Sequence, residues 1–145
     1  MNKSATRREL HYKADEQQVR NLLKLLRRER IEAIVLKYIN GMREIVGAKP
    51  VESIWAACAF FRDHELRLSR QFAYVRPEPM SLWLARQIRA VVMFAAPIKQ
   101  SASSASYIRA KNGAWTAQWN FTAWQAEMLE EVNALEAVAR KAMRW

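Results

Sequence analysis

Apolar residues recur at steps of three and four over most of the chain, the spacing that places side chains on one side of an α-helix. The longest such stretch runs from Val19 to Val46. Its apolar stripe moves around the helix by about 100° near Arg27 to Arg30. Because the chain has no Gly or Pro at that point, the pattern favours one long helix, straight or bent there, over two helices.

Helix-boundary signals flank this stretch. Asp15 is the expected N-cap, with Gln18 able to reach back to it as in a capping box, so the helix should begin near Glu16. Gly47 is a typical stop signal. A second helix is expected to begin at Pro50, a residue suited to a first turn, and to end near Phe72.

Two further helices are expected in the second half of the chain. Two prolines in the segment 75–79 disfavour helix and predict a turn. The third helix should start with Ser81 as N-cap and end before Pro97, and because it is apolar on most sides it should be the central one. Thr122 opens a last helix that continues to the C-terminus.

The stretch between these two helices predicts a different structure. Residues 99–106 are rich in serine and are expected to form a loop. The pair Asn112–Gly113 suits a type I′ turn, so residues 106–120 predict a short β-hairpin with one apolar and one polar face. The competing interpretation is a helix that starts near Ala114, because two tryptophans four positions apart would also share a helix face.

These elements predict a mainly α protein, a bundle of about four helices with one short hairpin. Its 145 residues, 51% of them apolar, suit a single domain spanning residues 1–145. Residues 1–13 carry several cations without a sustained period, so they form either a loose basic arm or an unstructured start. Cys58 is the only cysteine, which excludes an internal disulfide and indicates a reducing compartment.

Charge narrows the range of partners. Lys and Arg number 24 against 14 Asp and Glu, a net charge of +10. Such a surface suits phosphates or an acidic protein face. We find neither an apolar signal core near the start nor an apolar run of the roughly 20 residues that span a bilayer. A cytoplasmic location without membrane contact is therefore expected.

Groups that carry catalysis are sparse. The chain has two His and three Gly, and it lacks phosphate-binding glycine motifs. Asp63, His64 and Glu65 are adjacent on a predicted helix, where they would point about 100° apart and could not share a metal. Cys58 falls in an apolar stripe and is expected to be an inert core residue. We therefore expect no enzyme activity, cofactor, metal or small-molecule substrate.

Binding chemistry is better represented, in two regions. The polar side of the first helix carries cations at one-turn spacing, which could track a phosphate chain. The stretch between Glu78 and Glu127 contains no acid but five cations, and the polar hairpin face would place a stacking ring beside some of them. An ordinary solvated surface would show the same patterns. The predicted nucleic-acid-binding residues are Arg20, Lys24, Arg27, Arg28, Tyr107, Arg109 and Lys111.

The sequence thus predicts a small basic helical protein that binds RNA or DNA with low sequence specificity, as an accessory subunit of a nucleoprotein assembly. The alternative is a protein-binding inhibitor or adaptor that acts on a partner complex without catalysis, as small mobile-element or phage proteins often do. In that case the aromatic C-terminal third would contact the partner. A helix-turn-helix is disfavoured because the third helix is too apolar to read base edges.

Overall fold

The structure, a computed structural model, describes the backbone of residues 7–108 and 121–143 and the side chains of residues 11–94 and 123–143. This part of the chain is mainly helical, as predicted, and contains no strand. None of its helices is long and apolar enough to cross a membrane. The five helices are α1 (Arg7–Arg28), α2 (Glu32–Ile45), α3 (Ile54–Gln71), α4 (Met80–Ile108) and α5 (Phe121–Ala142).

The first predicted helix is two helices, so the expectation of one long element was wrong. Arg30 adopts the left-handed conformation, with φ of 60°. The Ile31 N–H donates to the Leu26 carbonyl at 3.0 Å, and the Arg30 N–H donates to the Arg27 carbonyl at 3.2 Å. This pair of bonds is a Schellman motif, the usual termination of a helix. Leu26 and Ile31 are both buried and supply its apolar contact.

Four helix starts also differ from prediction. α1 begins at Arg7, well before Glu16, so Asp15 is not its N-cap; residues 7–13 of the proposed basic arm are helical, and residues 1–6 lie outside the described part. α3 begins at Ile54 rather than Pro50, since the Ser53 hydroxyl accepts the Ala56 N–H at 3.0 Å. α4 begins at Met80, so Ser81 lies inside the helix and is not its N-cap. α5 begins at Phe121, so Thr122 also lies inside its helix.

α4 is longer than predicted. It passes Pro97 and the Ser-rich stretch and ends at Ile108, so the predicted end before Pro97 and the loop at 99–106 were wrong. A proline inside a helix removes one hydrogen bond and crowds the carbonyl four residues earlier, so it kinks or ends the helix; here the helix continues. Residues 106–108, assigned to the first hairpin strand, are helical; the rest of that hairpin, 109–120, lies outside the described residues.

α4 is the central helix, as predicted, and contacts each of the other four. All five helices contribute to one apolar cluster. Its members include Leu22 and Leu26 of α1, Val35 and Ile39 of α2, Ile54 and Ala57 of α3, Leu84 and Ile88 of α4, and Met128 and Val132 of α5. This arrangement leaves one side of α1 and much of α3 facing solvent.

Candidate nucleic-acid interface

The side of α1 opposite the core is basic. Its inward positions, such as Val19 and Leu22, are buried, and every Lys and Arg of α1 between residues 11 and 28 is exposed. At 100° per residue these cations occupy an arc of about 100° and extend over about 22 Å of helix. The α1 basic face consists of Lys13, Arg20, Lys24, Arg27 and Arg28. The carboxylates of Asp15 and Glu16 lie outside this arc.

Acids already pair with the C-terminal end of this face. Arg28 Nη2 lies 2.8 and 2.7 Å from the two carboxylate oxygens of Glu131 on α5, and Arg28 Nε lies 3.0 Å from Glu29. These hydrogen bonds raise the pKa of Arg28 above its ordinary value. Arg27 Nε lies 3.2 Å from Glu32 at the start of α2. The helix termination at Arg30 brings Glu32 beside Arg27, whereas the packing of α5 against α1 brings Glu131 beside Arg28.

The other three cations keep their charge available. Lys13, Arg20 and Lys24 form no ion pair within the described residues. Arg20 places its guanidinium carbon 5.1 Å from the ring centroid of Trp55 on α3. A cation held over a ring is positioned without being neutralised. The cations of α1 without an acidic partner therefore lie about one to four turns before the paired arginines.

Lys24 and Arg28 also line an open groove of about 400 Å³ between α1 and α5. Leu25 and Leu135 form its apolar base, and among the described residues Glu131 is the only acid that lines it. The groove therefore has two cations on its α1 wall and one acid on its α5 wall.

Asp15 has a role that sequence reasoning missed. Its two carboxylate oxygens accept the backbone N–H groups of Met80 and Ser81, each at 2.8 Å, and cap the N-terminus of α4. The residue is 4% exposed. Burial raises the pKa of Asp15, while the hydrogen bonds from Ser81 and Met80 and the nearby charge of Arg62 oppose that rise. No local signal showed this contact, because it joins residues 65 positions apart.

Cys58 packs beside this cap and is fully buried, as predicted for a core residue. Burial raises the pKa of its thiol to about 12, so the reactive thiolate is disfavoured. In the described part of the chain, no three side chains of His, Cys, Asp or Glu converge to hold a metal ion. The polar groups gathered around Asp15 therefore serve the packing of α1 against α4.

The structure brings together only part of the predicted site. Arg20, Lys24, Arg27 and Arg28 share one exposed face, and Lys13 joins them, a residue missed because the helix was expected to begin later. Tyr107 lies on the α4 backbone, but its side chain is outside the described residues, as are Arg109 and Lys111 entirely. Neither protein-family models nor curated proteins nor solved structures give a match to this chain.

Proposed function

We propose that the protein binds the phosphate backbone of RNA or DNA, with low sequence specificity, through the α1 basic face. The observation that carries the proposal is the row formed by Lys13, Arg20 and Lys24. These residues extend over about 16 Å of one helix face and form no ion pair within the described part of the chain. Cations in such a row release counterions from a nucleic acid as they neutralise its phosphates.

Arg27 and Arg28 extend the proposed contact. Their ion pairs are solvent-exposed, with 62% and 57% of the two side chains accessible. Solvent-exposed ion pairs contribute little to the free energy of unfolding, because water and salt screen them. A phosphate oxygen can therefore replace a carboxylate as their partner at small cost. Glu131 would then compete weakly with phosphate for Arg28. Strands with a higher density of phosphates would overcome this competition more easily.

Low specificity follows from the side chains available. Lys and Arg contacts to phosphate position a protein on nucleic acid but carry no sequence information by themselves. Tyr107, Arg109 and Lys111 belong to a stretch without acids and remain proposed contributors, the ring by stacking on an unpaired base. A small protein of this kind would serve as an accessory subunit of a larger nucleoprotein assembly.

Fluorescence anisotropy tests the proposal. Labelled single-stranded RNA, single-stranded DNA and duplex DNA of about 20 nucleotides would be titrated between about 50 and 200 mM salt. Binding through the face predicts that log K falls linearly with log salt, by nearly one unit for each phosphate contact on duplex DNA. No binding at the lowest salt, or an affinity that salt does not change, would refute backbone recognition.

Neutral variants locate the contact on α1. Arg20→Gln with Lys24→Gln should weaken binding by at least about tenfold and reduce the salt slope by about two, because each lost cation removes about one phosphate contact. Lys37→Gln with Lys141→Gln, on α2 and α5, removes the same charge from exposed positions elsewhere. If both double variants lose the same affinity, net charge rather than the α1 basic face accounts for binding.

A further inference from the structure

A second surface, on the side of α3 away from α1, combines exposed apolar groups with cations. An open cleft of about 430 Å³ lies between the end of α2, the following loop and α3. We call it the Phe60 cleft. No acid is among the described residues that line it, which include Arg43, Val46, Phe60, Phe61, Arg67 and Trp83.

The core does not account for the exposed apolar groups of the cleft. Phe61 stacks on Trp83 of α4, with ring centroids 4.9 Å apart and planes 15° from parallel, and so anchors α3. Phe60, the preceding residue, points away from that contact and is 55% exposed, while Val46 is 78% exposed. Apolar groups clustered within a polar rim are typical of interaction surfaces.

The cations beside Phe60 are ordered but not neutralised. Arg43 Nε donates to the Lys49 carbonyl at 2.8 Å, and the guanidinium carbon lies 5.0 Å from the Phe60 ring centroid. Neither Arg43 nor Arg67 forms an ion pair with an acid among the described residues. The cleft thus presents a positioned guanidinium, a second one on α3, and an apolar base between them.

We propose that the Phe60 cleft binds a short acidic segment of a protein partner, in which carboxylates flank one large apolar side chain. The apolar side chain would pack against Phe60 and Val46. The flanking carboxylates would meet Arg43 and Arg67, because guanidinium groups form strong charge-assisted bonds with carboxylates. Charge complementarity selects this occupant, since a basic segment would face two unpaired arginines and find no acid in the lining.

The shape of the cleft favours a peptide over a nucleic-acid strand. Two cations flank one apolar cavity here, whereas a phosphate backbone requires cations repeated along its path, as on α1. Aromatic and Arg side chains in desolvated pockets are also the usual energetic centres of protein interfaces. The sequence-based alternative placed protein binding in the aromatic C-terminal third, whereas this proposal places it at α2 and α3. The cleft is separate from the α1 basic face.

Binding of designed peptides tests the inference on the full-length chain. The probe is a fluorescein-labelled peptide of alternating Glu and Leu, compared with peptides of alternating Glu and Ser and of alternating Lys and Leu. The Glu and Leu peptide should bind at least about tenfold more tightly than either comparison peptide, a difference of about 1.4 kcal/mol. Equal affinities, or tighter binding of the Lys and Leu peptide, would overturn the proposal.

Single substitutions then place the peptide in the cleft. Phe60→Ala and Arg67→Glu should each weaken binding by about tenfold. Phe72→Ala removes another exposed aromatic ring, and Lys141→Glu makes the same charge change on α5, so both should change affinity less than about twofold. Circular dichroism checks the folding of each variant. Matching losses in these controls would show that the peptide does not bind in the cleft.

Two other occupants give distinct results. If Phe60→Ala weakens RNA binding but not peptide binding, the cleft is a nucleic-acid site. If the wild-type chain is a dimer by analytical ultracentrifugation and Phe60→Ala makes it a monomer, the cleft joins two copies; either result refutes the proposal. Retained peptide binding by the Arg20→Gln and Lys24→Gln variant is expected, and it separates this surface from the α1 basic face.

Discussion

At the scale of single residues, the sequence pattern predicted which side chains are exposed, but not which side chains they contact. The helical period of apolar residues correctly separated the buried Val19 from the exposed Arg20 and Lys24, because the burial of one side of a helix repeats with that period. Partners depend on which helices meet, so the ion pair of Arg28 with Glu131, 103 positions away, could not be predicted. Phe60 gave one usable signal, an aromatic residue outside the apolar stripe of its helix.

Asp15 should contribute strongly to stability through the cap of α4. Asp15→Ala leaves the N–H groups of Met80 and Ser81 buried without an acceptor and is expected to lower the free energy of unfolding by about 2 to 3 kcal/mol. Urea denaturation followed by circular dichroism measures the change. Asp63→Ala, at an exposed position of α3, should stay within about 0.5 kcal/mol of wild type. Equal effects would mean that the cap contributes little.

At the scale of elements, the structure contains the same termination twice. α1 and α2 both end in a Schellman motif: Gly47 occupies the left-handed position of the second with φ of 77°, and Arg30 that of the first with φ of 60°. Gly47 marked its helix end in the sequence. Arg30 did not mark the end of α1 in the sequence, because arginine has no preference for positive φ. The burial of Leu26 and Ile31 stabilises this conformation of Arg30. That contact depends on tertiary structure.

Arg30→Gly should therefore stabilise the protein. Glycine reaches positive φ without the steric cost that a side chain incurs, so the free energy of unfolding is expected to rise by about 0.5 to 1 kcal/mol. Lys37→Gly, at an exposed interior position of α2, should instead lower it by about 1 kcal/mol. Thermal and urea unfolding distinguish the two signs. A loss of stability in Arg30→Gly would indicate that the arginine side chain itself holds the turn.

At the scale of the whole molecule, the mainly α fold class and the central helix were predictable from the sequence. The secondary structure around residue 100 was not. α4 was recognised as central because nearly all sides of its first half are apolar. Its continuation through Pro97 was missed, since an interior proline usually kinks or ends a helix and the prediction followed that rule. α4 and α5 are also joined by charge, where Arg89 contacts Glu136.

The contact of α4 with α5 should weaken in acid. Burial alone would raise the pKa of Glu136, but hydrogen bonds from Arg89 and Arg140 outweigh it and lower that pKa below its ordinary 4.5. Between the two values the unfolded chain binds more protons than the folded chain, so the stability due to Glu136 is full above pH 4.5 and is lost as the pH falls through the lowered pKa.

Urea midpoints measured at a series of pH values check this sign. Glu136→Gln should make the free energy of unfolding fall less steeply below pH 4.5 than in wild type. Arg89→Gln should remove much of the same pH dependence, because it removes a hydrogen bond that lowers the pKa of Glu136. Glu130→Gln, at an exposed position of the same helix, controls for the loss of one surface carboxylate. An acid dependence that is identical in the Glu136 and Glu130 variants would contradict the assignment.

Residues on the inward and outward sides of α1 can be substituted independently of each other. Its inward side holds the core and, through Asp15, the start of α4, whereas no core contact depends on the positive charge of Lys13 or Lys24. Substitutions on the outward side are therefore expected to change the proposed affinity for a polyanion in small steps while the protein stays folded. A charge series along this one helix could serve to tune binding strength without redesign of the scaffold.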